Sequence, residues 1–159
     1  MPRYWLLKSE PAMFAFDDLW KAPKRTTYWD GVRNYQARNF MRDDMQVGDL
    51  AFFYHSSVDP AGIAGIVKIV KAGYPDWTAF EKGHEHYDEK SDPKNPTWVM
   101  VDVQAVEPLP EFVTLETLRG VKGLDGLELL RKGSRLSVQP VSAAHFAIIA
   151  KAGKAKTTG

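Results

Sequence analysis

Three runs rich in β-branched and aromatic residues, at 50–55, 62–72 and 97–106, commit this chain to a sheet. Each has the length of a strand and stands between turn formers. Gly48-Asp49 precedes the first, Ser56 to Pro60 separates the first two, and Pro93 and Pro96 precede the third. Val99, Val101 and Val103 alternate in the third run, so they share one face. Gly62 and Gly65 fall early in the second, where glycine predicts a bulge or a close backbone approach. Tyr4 to Lys8 reads as a further strand, 26–29 as an extended segment, and 136–140 as a short strand ended by Pro140.

The helical stretches between these runs are short. Residues 16–20 predict a turn of helix that stops near Pro23. Asn34 caps a helix over 35–42, with Ala37, Phe40 and Met41 facing inward. A short helix at 77–80 interrupts the polar, acidic stretch 76–92. Thr114 caps a helix to Leu118, and Leu124, Leu127, Leu129 and Leu130 read as a second helical stretch. Ser142 caps 143–151, whose Phe146, Ile149 and Ala150 form a core face. Five or six strands with three to five short helices describe a small mixed barrel or α+β sheet. A doubly wound fold needs longer, regularly alternating helices. The 159 residues suit one domain, 1–152, followed by a disordered basic tail, 153–159.

Charge and composition exclude several functions. The absence of cysteine rules out disulfides, thiolate metal sites and a cysteine nucleophile. The opening segment has only four apolar residues before Lys8, unlike a signal peptide, and no run approaches the roughly 18 apolar residues of a membrane span. The expectation is a cytoplasmic protein with no membrane partner. Net charge is +1 overall, but residues 1–42 carry +4, 43–75 carry −2, 76–128 carry −7 and 129–159 carry +6. Basic ends that met in space would make a modest anion-facing surface. A protein coating duplex DNA without specificity is usually far more basic.

Signatures of catalysis are missing. The chain has no G-x-S-x-G elbow, no phosphate-binding G-x-x-x-x-G-K-[ST], no G-x-G-x-x-G and no H-E-x-x-H. His84-x-His86 with Asp88 and Asp92 is the one cluster with metal-ligand character, and a solvated acidic loop explains it better. Neither a metal nor another cofactor is expected. Adjacent pairs such as Asp17-Asp18 and Asp43-Asp44 do not face each other on a helix and read as surface charge.

Two stretches set aromatics among polar groups: 29–39, beginning Trp29-Asp30-Gly31-Val32-Arg33-Asn34-Tyr35, and Phe53-Tyr54-His55-Ser56-Ser57. A planar base needs a stacking wall and a donor–acceptor pair for its edge. Trp29 or Tyr54 supplies a wall, Asn34 an edge contact, and Ser9, Ser56 or Ser57 a partner for phosphate or a base oxygen. Trp29 and Tyr54 equally suit a core in which their polar tips are satisfied.

In order along the chain, Tyr4-Trp5-Leu6-Leu7-Lys8-Ser9-Glu10-Pro11, the 29–39 stretch, Gly48-Asp49, Phe53-Tyr54-His55-Ser56, Gly62-Ile63-Ala64-Gly65-Ile66, Tyr74-Pro75-Asp76, Trp98 to Val103 and Arg135 to Val141 resemble the EVE family. The resemblance spans roughly residues 3–150. It implies a PUA-like pseudo-barrel of five or six mostly antiparallel strands surrounded by short helices, related to YTH and ASCH domains. It also implies a pocket for a modified base, such as cytosine substituted at carbon five. YTH relatives read methylated adenine in RNA. The family pocket maps onto Lys8, Ser9, Trp29, Asn34 and Tyr54, with Ser56 and Ser57 at its rim, and Arg33 and Arg135 as anion contacts. The expected protein is a non-catalytic module, monomeric, that binds DNA or RNA carrying a modified base, single-stranded or flipped out. An enzyme on a modified nucleotide, built on Lys8, Glu10, Asp30 and His55, and a protein or small-metabolite module are the alternatives.

Overall fold

The computed structural model describes residues 3–157. Six strands form one sheet: β1 (Tyr4–Ser9), β2 (Thr26–Trp29), β3 (Leu50–His55), β4 (Gly62–Pro75), β5 (Val99–Thr114) and β6 (Val138–Val141). Their order is β2-β5-β4-β3-β1-β6. β1 runs parallel to β3, with Leu6 opposite Phe52, and every other neighbouring pair is antiparallel. The fold is thus α+β, a mixed, mostly antiparallel, open sheet with short helices against it. The helices are α1 (Phe16–Lys21), α2 (Tyr35–Asn39), α3 (Leu115–Arg119) and α4 (Ala143–Ala152).

Alternation along the strands builds two cores, one on each face. Trp5 and Leu7 of β1, Phe53 of β3, Val67 and Ile69 of β4 and Val99, Val101 and Val103 of β5 pack with α1 and α2. Leu6, Phe52, Ile63, Ile66 and Val113 face the other way, toward α3 and α4. Phe52 and Phe146 stack there with centroids 4.5 Å apart. The expected caps are in place: Asn34 Oδ1 accepts from Ala37 N–H at 2.9 Å, Thr114 Oγ1 from Thr117 N–H at 3.0 Å, and Ser142 Oγ from His145 N–H at 3.1 Å. Between β1 and β3 a buried carboxylate, Asp49, accepts from the indole N–H of Trp5 at 3.0 Å and from the backbone N–H groups of Arg3 and Gln46.

Gly65 sits at a register shift between β4 and β5, and any side chain there would run into the Phe16 ring. Bulge and close approach therefore coincide, as two glycines early in the run predict. β5 runs eight residues beyond the expected end at Val106, through Pro108 and Pro110. β2 pairs β5 only up to Gln104, so beyond it no strand lines that edge of β5, which tolerates residues without an N–H. Pro140 lies inside β6 for the same reason, because β6 is an edge strand. The helix expected at 35–42 widens partway: α2 ends at Asn39 and a π-type turn covers Phe40–Asp44. The second leucine stretch is mostly turns, with a single 3-10 turn at Glu128–Leu130, because Gly123 and Gly126 hold left-handed φ of +91° and +86°.

The segment after α4 follows β5. Gly153 is buried and its carbonyl accepts from Glu111 N–H at 3.1 Å, while the Glu107 carboxylate accepts from the N–H groups of Lys156 and Thr157. The last two residues of the expected tail, Thr158 and Gly159, lie outside the described residues, as do Met1 and Pro2. No helix among the described residues is long and apolar enough to cross a membrane.

Candidate functional site

A cavity of about 640 Å³ opens where three chain segments meet. Lys8, Ser9 and Glu10 leave the end of β1, with Met13 and Phe14 just beyond. Thr27, Tyr28 and Trp29 come from β2, followed by Asp30 and Gly31. His84, Glu85 and His86 close the third side from the 81–96 loop. The volume falls in the range of small-molecule sites, which run roughly 300–1,000 Å³.

Trp29 is buried at 8% exposure, its ring edge-on to Phe53 with centroids 5.3 Å apart, so one side of the indole is fixed by core packing and another borders the cavity. Ser9 Oγ donates to Phe14 O at 2.6 Å, which ties the strand end to the Met13–Phe14 wall. Lys8 reaches toward the Tyr54 ring, 5.9 Å from its centroid. Burial pulls the Lys8 ammonium below the usual lysine range, against a smaller upward pull from Glu128. Tyr28 and Trp77, both exposed, meet edge to face at 5.3 Å, and Trp77 in turn meets His84 at 6.2 Å.

The third wall is fastened to the sheet through Asp76, which has no exposure. Its Oδ2 accepts from Gly31 N–H and Arg33 Nη1, each at 3.0 Å, and its Oδ1 from the Thr78 backbone N–H at 2.9 Å and from the Thr78 hydroxyl. Burial pushes this carboxyl up, and the bonds from Thr78, Gly31 and Arg33 outweigh it and hold the group below the usual carboxylate range. The other arm of Arg33 donates to His86 O. Gly31 has φ +77° and lies against the His86 ring, so that a Cβ there would come within 2.5 Å of the imidazole. Asp88 accepts from the Trp98 indole N–H at 2.6 Å.

Of the residues singled out from the sequence, Lys8, Ser9 and Trp29 line this cavity. Asn34 does not, because its side-chain oxygen caps α2. Tyr54 alternates onto the opposite face, among Leu6, Ile63 and Phe146, where burial pushes its phenol up despite Arg119. Ser56 and Ser57 stay in the loop after β3 and do not line the cavity; Ser56 N–H donates to Ser9 O at 2.9 Å. Arg33 is occupied with Asp76 and His86 O rather than presented to an outside anion. Arg135 is exposed in the turn before β6, apart from the cavity lining. His55, offered as an acid–base group, accepts the Phe16 N–H at 3.1 Å, and burial lowers its pKa.

Asp30, His84 and His86 were not expected to meet. His86 Nδ1 lies 2.9 Å and His84 Nε2 4.0 Å from Asp30 Oδ2. One ligand-capable atom from each of the three falls within 4.8 Å of the others, whereas Asp88 and Asp92 turn elsewhere. His84 Nδ1 accepts the His86 backbone N–H at 3.0 Å. The neutral ring therefore carries its proton on Nε2, facing Asp30, and offers no lone pair there for a metal. In this geometry the trio is a hydrogen-bonded wall. The sequence signals its two halves separately, in the His84-x-His86 pair and in the Asp30-Gly31 turn directly after Trp29, but these lie more than fifty positions apart and spacing alone groups the pair with Asp88 and Asp92 instead.

The EVE domain profile matches residues 3–152. Human thymocyte nuclear protein 1 is 46% identical over 160 residues, covering 90% of this chain and 70% of that protein. Among solved structures, human THYN1 protein in complex with 5-methylcytosine-containing DNA superposes with TM-score 0.91 at 42% identity, covering 98% of this chain and 99% of that one. A hypothetical protein from Leishmania major matches with TM-score 0.91 at 44% identity over 97% of this chain and 96% of that one. The expectation of a cytoplasmic protein is corrected by these relatives, which in human, rat and mouse are named as a nuclear protein. None of the proteins just described is named for a catalytic activity.

Proposed function

The chain belongs to the EVE domain family, and on that premise we propose that it binds DNA carrying a modified base, 5-methylcytosine first among them. The observation that carries this reading is its near-complete structural similarity to a human protein solved with 5-methylcytosine-containing DNA. The base enters the cavity bounded by Trp29, Ser9 and Asp30. Trp29 gives an aromatic wall already held in place by Phe53, so little ordering is needed on binding. Met13 and Phe14 supply apolar surface beside it.

Stacking on an aromatic wall contributes roughly 1–3 kcal/mol per base. Enclosing a methyl group adds about 0.8 kcal/mol. Base edges inside a duplex cannot reach a recess of this kind, so the ligand is a flipped or single-stranded nucleotide. The protein holds the base and does not convert it. RNA with a modified base is the second ligand for the same cavity.

The test is a fluorescence titration at fixed low salt with paired oligonucleotides, DNA and RNA, single-stranded and duplex, modified and unmodified. The expected result is several-fold tighter binding of the modified base, with the preference removed by Trp29→Ala and reduced by Met13→Ala. Met13 is 64% exposed, so its truncation leaves the core intact. Equal affinity for all bases in the wild type refutes the reading.

A further inference from the structure

The cavity recognises a base but has little to hold a backbone. Its rim carries Glu10, Asp30 and Glu85, while the Lys8 ammonium turns toward Tyr54 and Glu128, so phosphates are repelled on the His84–His86 side. The two arginines first expected to take an anion are occupied or remote. At the other end of β2 the situation reverses. Lys24 and Arg25 are exposed, consecutive, and lead directly into the strand whose Thr27, Tyr28 and Trp29 form the cavity wall. No carboxylate of the described residues makes an ion pair with either.

These two cations are held in an unusual backbone. Lys24 and Arg25 have φ of 55° and 53°, a left-handed conformation that residues other than glycine and asparagine rarely adopt. Three bonds fix it. Arg25 N–H donates to Ala22 O at 2.8 Å, and Lys24 O accepts from Thr26 Oγ1 at 2.9 Å and from Gln104 Nε2 at 3.0 Å. The Arg25 guanidinium lies over the Trp20 ring, 3.5 Å from its centroid. A guanidinium held over an aromatic ring still has its N–H donors to offer a phosphate. Strained backbone of this kind collects at functional sites.

We propose that Lys24 and Arg25 form the phosphate-contact site for the strand that flanks the bound base. The backbone of the ligand leaves the cavity along the outer edge of β2, away from Asp30 and Glu85. Along an extended strand Arg25 is about 7 Å from Thr27 and about 13 Å from Trp29, the span of a nucleotide or two. β2 is an edge strand, so nothing in the sheet blocks that path. This inference rests on the base-binding reading above and adds to it the direction of the strand.

The test compares wild type, K24A/R25A and a charge-matched control, K122A/K151A, whose lysines are exposed near α3 and in α4. Each is titrated with single-stranded oligonucleotide containing 5-methylcytosine, or its unmodified twin, across a salt series. Each phosphate contact contributes about −0.7 to the slope of log K against log salt in single strands. K24A/R25A is therefore expected to flatten the slope by about 1.4, so wild type loses about sevenfold more affinity than this variant between 50 and 200 mM salt. The preference for the modified base stays as in wild type, and thermal melting confirms that the variant folds. An unchanged slope, or an equal flattening in K122A/K151A, overturns the inference and leaves the base reading intact. Wild type that binds both oligonucleotides alike refutes the base reading, and the inference falls with it.

Discussion

Asp76→Asn removes one charge from the point where the cavity wall is fastened to the sheet. The carboxylate has no exposure and accepts four hydrogen bonds, two on each oxygen. Asparagine keeps one acceptor oxygen. Its amide must then face either Thr78 or the Gly31 and Arg33 donors, setting N–H against N–H. Breaking a buried ion pair from one side costs about 3–5 kcal/mol. The Arg33 side chain is 25% exposed and recovers some hydration, so the lower end applies, about 3 kcal/mol. For a chain of this length that lowers Tm by about 6–12 °C.

The pH dependence has a definite sign. Asp76 titrates below the ordinary carboxylate value when folded, so its contribution is present above about pH 4 and is lost as pH falls through the folded value. The gap between wild type and Asp76→Asn therefore narrows in acid. Urea unfolding at pH 7 and at low pH measures both, and a double-mutant cycle with Arg33→Met isolates the pair. Binding weakens as well, because Gly31 and His86 O are positioned from this hub. A loss under about 1 kcal/mol at pH 7, or a gap that widens in acid, refutes the argument.

Gly31→Ala places a methyl group against the His86 ring at a left-handed φ, so Tm falls by about 2–8 °C and the His86 ring resonances shift; an unchanged Tm with an unmoved ring contradicts this. His55 accepts the Phe16 N–H and is held by burial below the usual histidine value. Its contribution is present above about pH 6.5 and is lost as pH falls through the folded value, since the charged ring cannot accept that bond. Melting curves from pH 8 to pH 5 should show a decline that His55→Gln flattens.

The strands were legible because period-two alternation survives in the sequence, and so were the three helix caps, whose partners lie three residues away. Lys8, Ser9 and Trp29 were legible as cavity residues through the family motifs. The opposite wall was not. His86 meets Asp30 fifty-six positions away, and Arg33 meets Asp76 forty-three away; no local pattern encodes either pairing. Asn34 and Arg33 misled for a chemical reason. The amide that would read a base edge serves equally to cap a helix, and the guanidinium that would take a phosphate serves equally to satisfy a buried carboxylate. Pro108 and Pro110 hid the second half of β5, since whether a proline ends a strand depends on whether a neighbour needs its N–H.

The cavity draws its walls from two kinds of material. β1 and β2 are woven into the sheet, while His84, Glu85 and His86 hang on a loop that no strand pairing holds: Arg33 donates to His86 O, Trp98 to Asp88, His86 meets Asp30, and Asp88 N–H donates to Ala79 O. Replacing residues 82–92 rewrites that wall without breaking a single rung of the strand ladder. That wall is consequently separable from the sheet, and a library that varies the loop but spares Asp88, the partner of the Trp98 indole, changes the cavity lining while the strand ladder stays as it is.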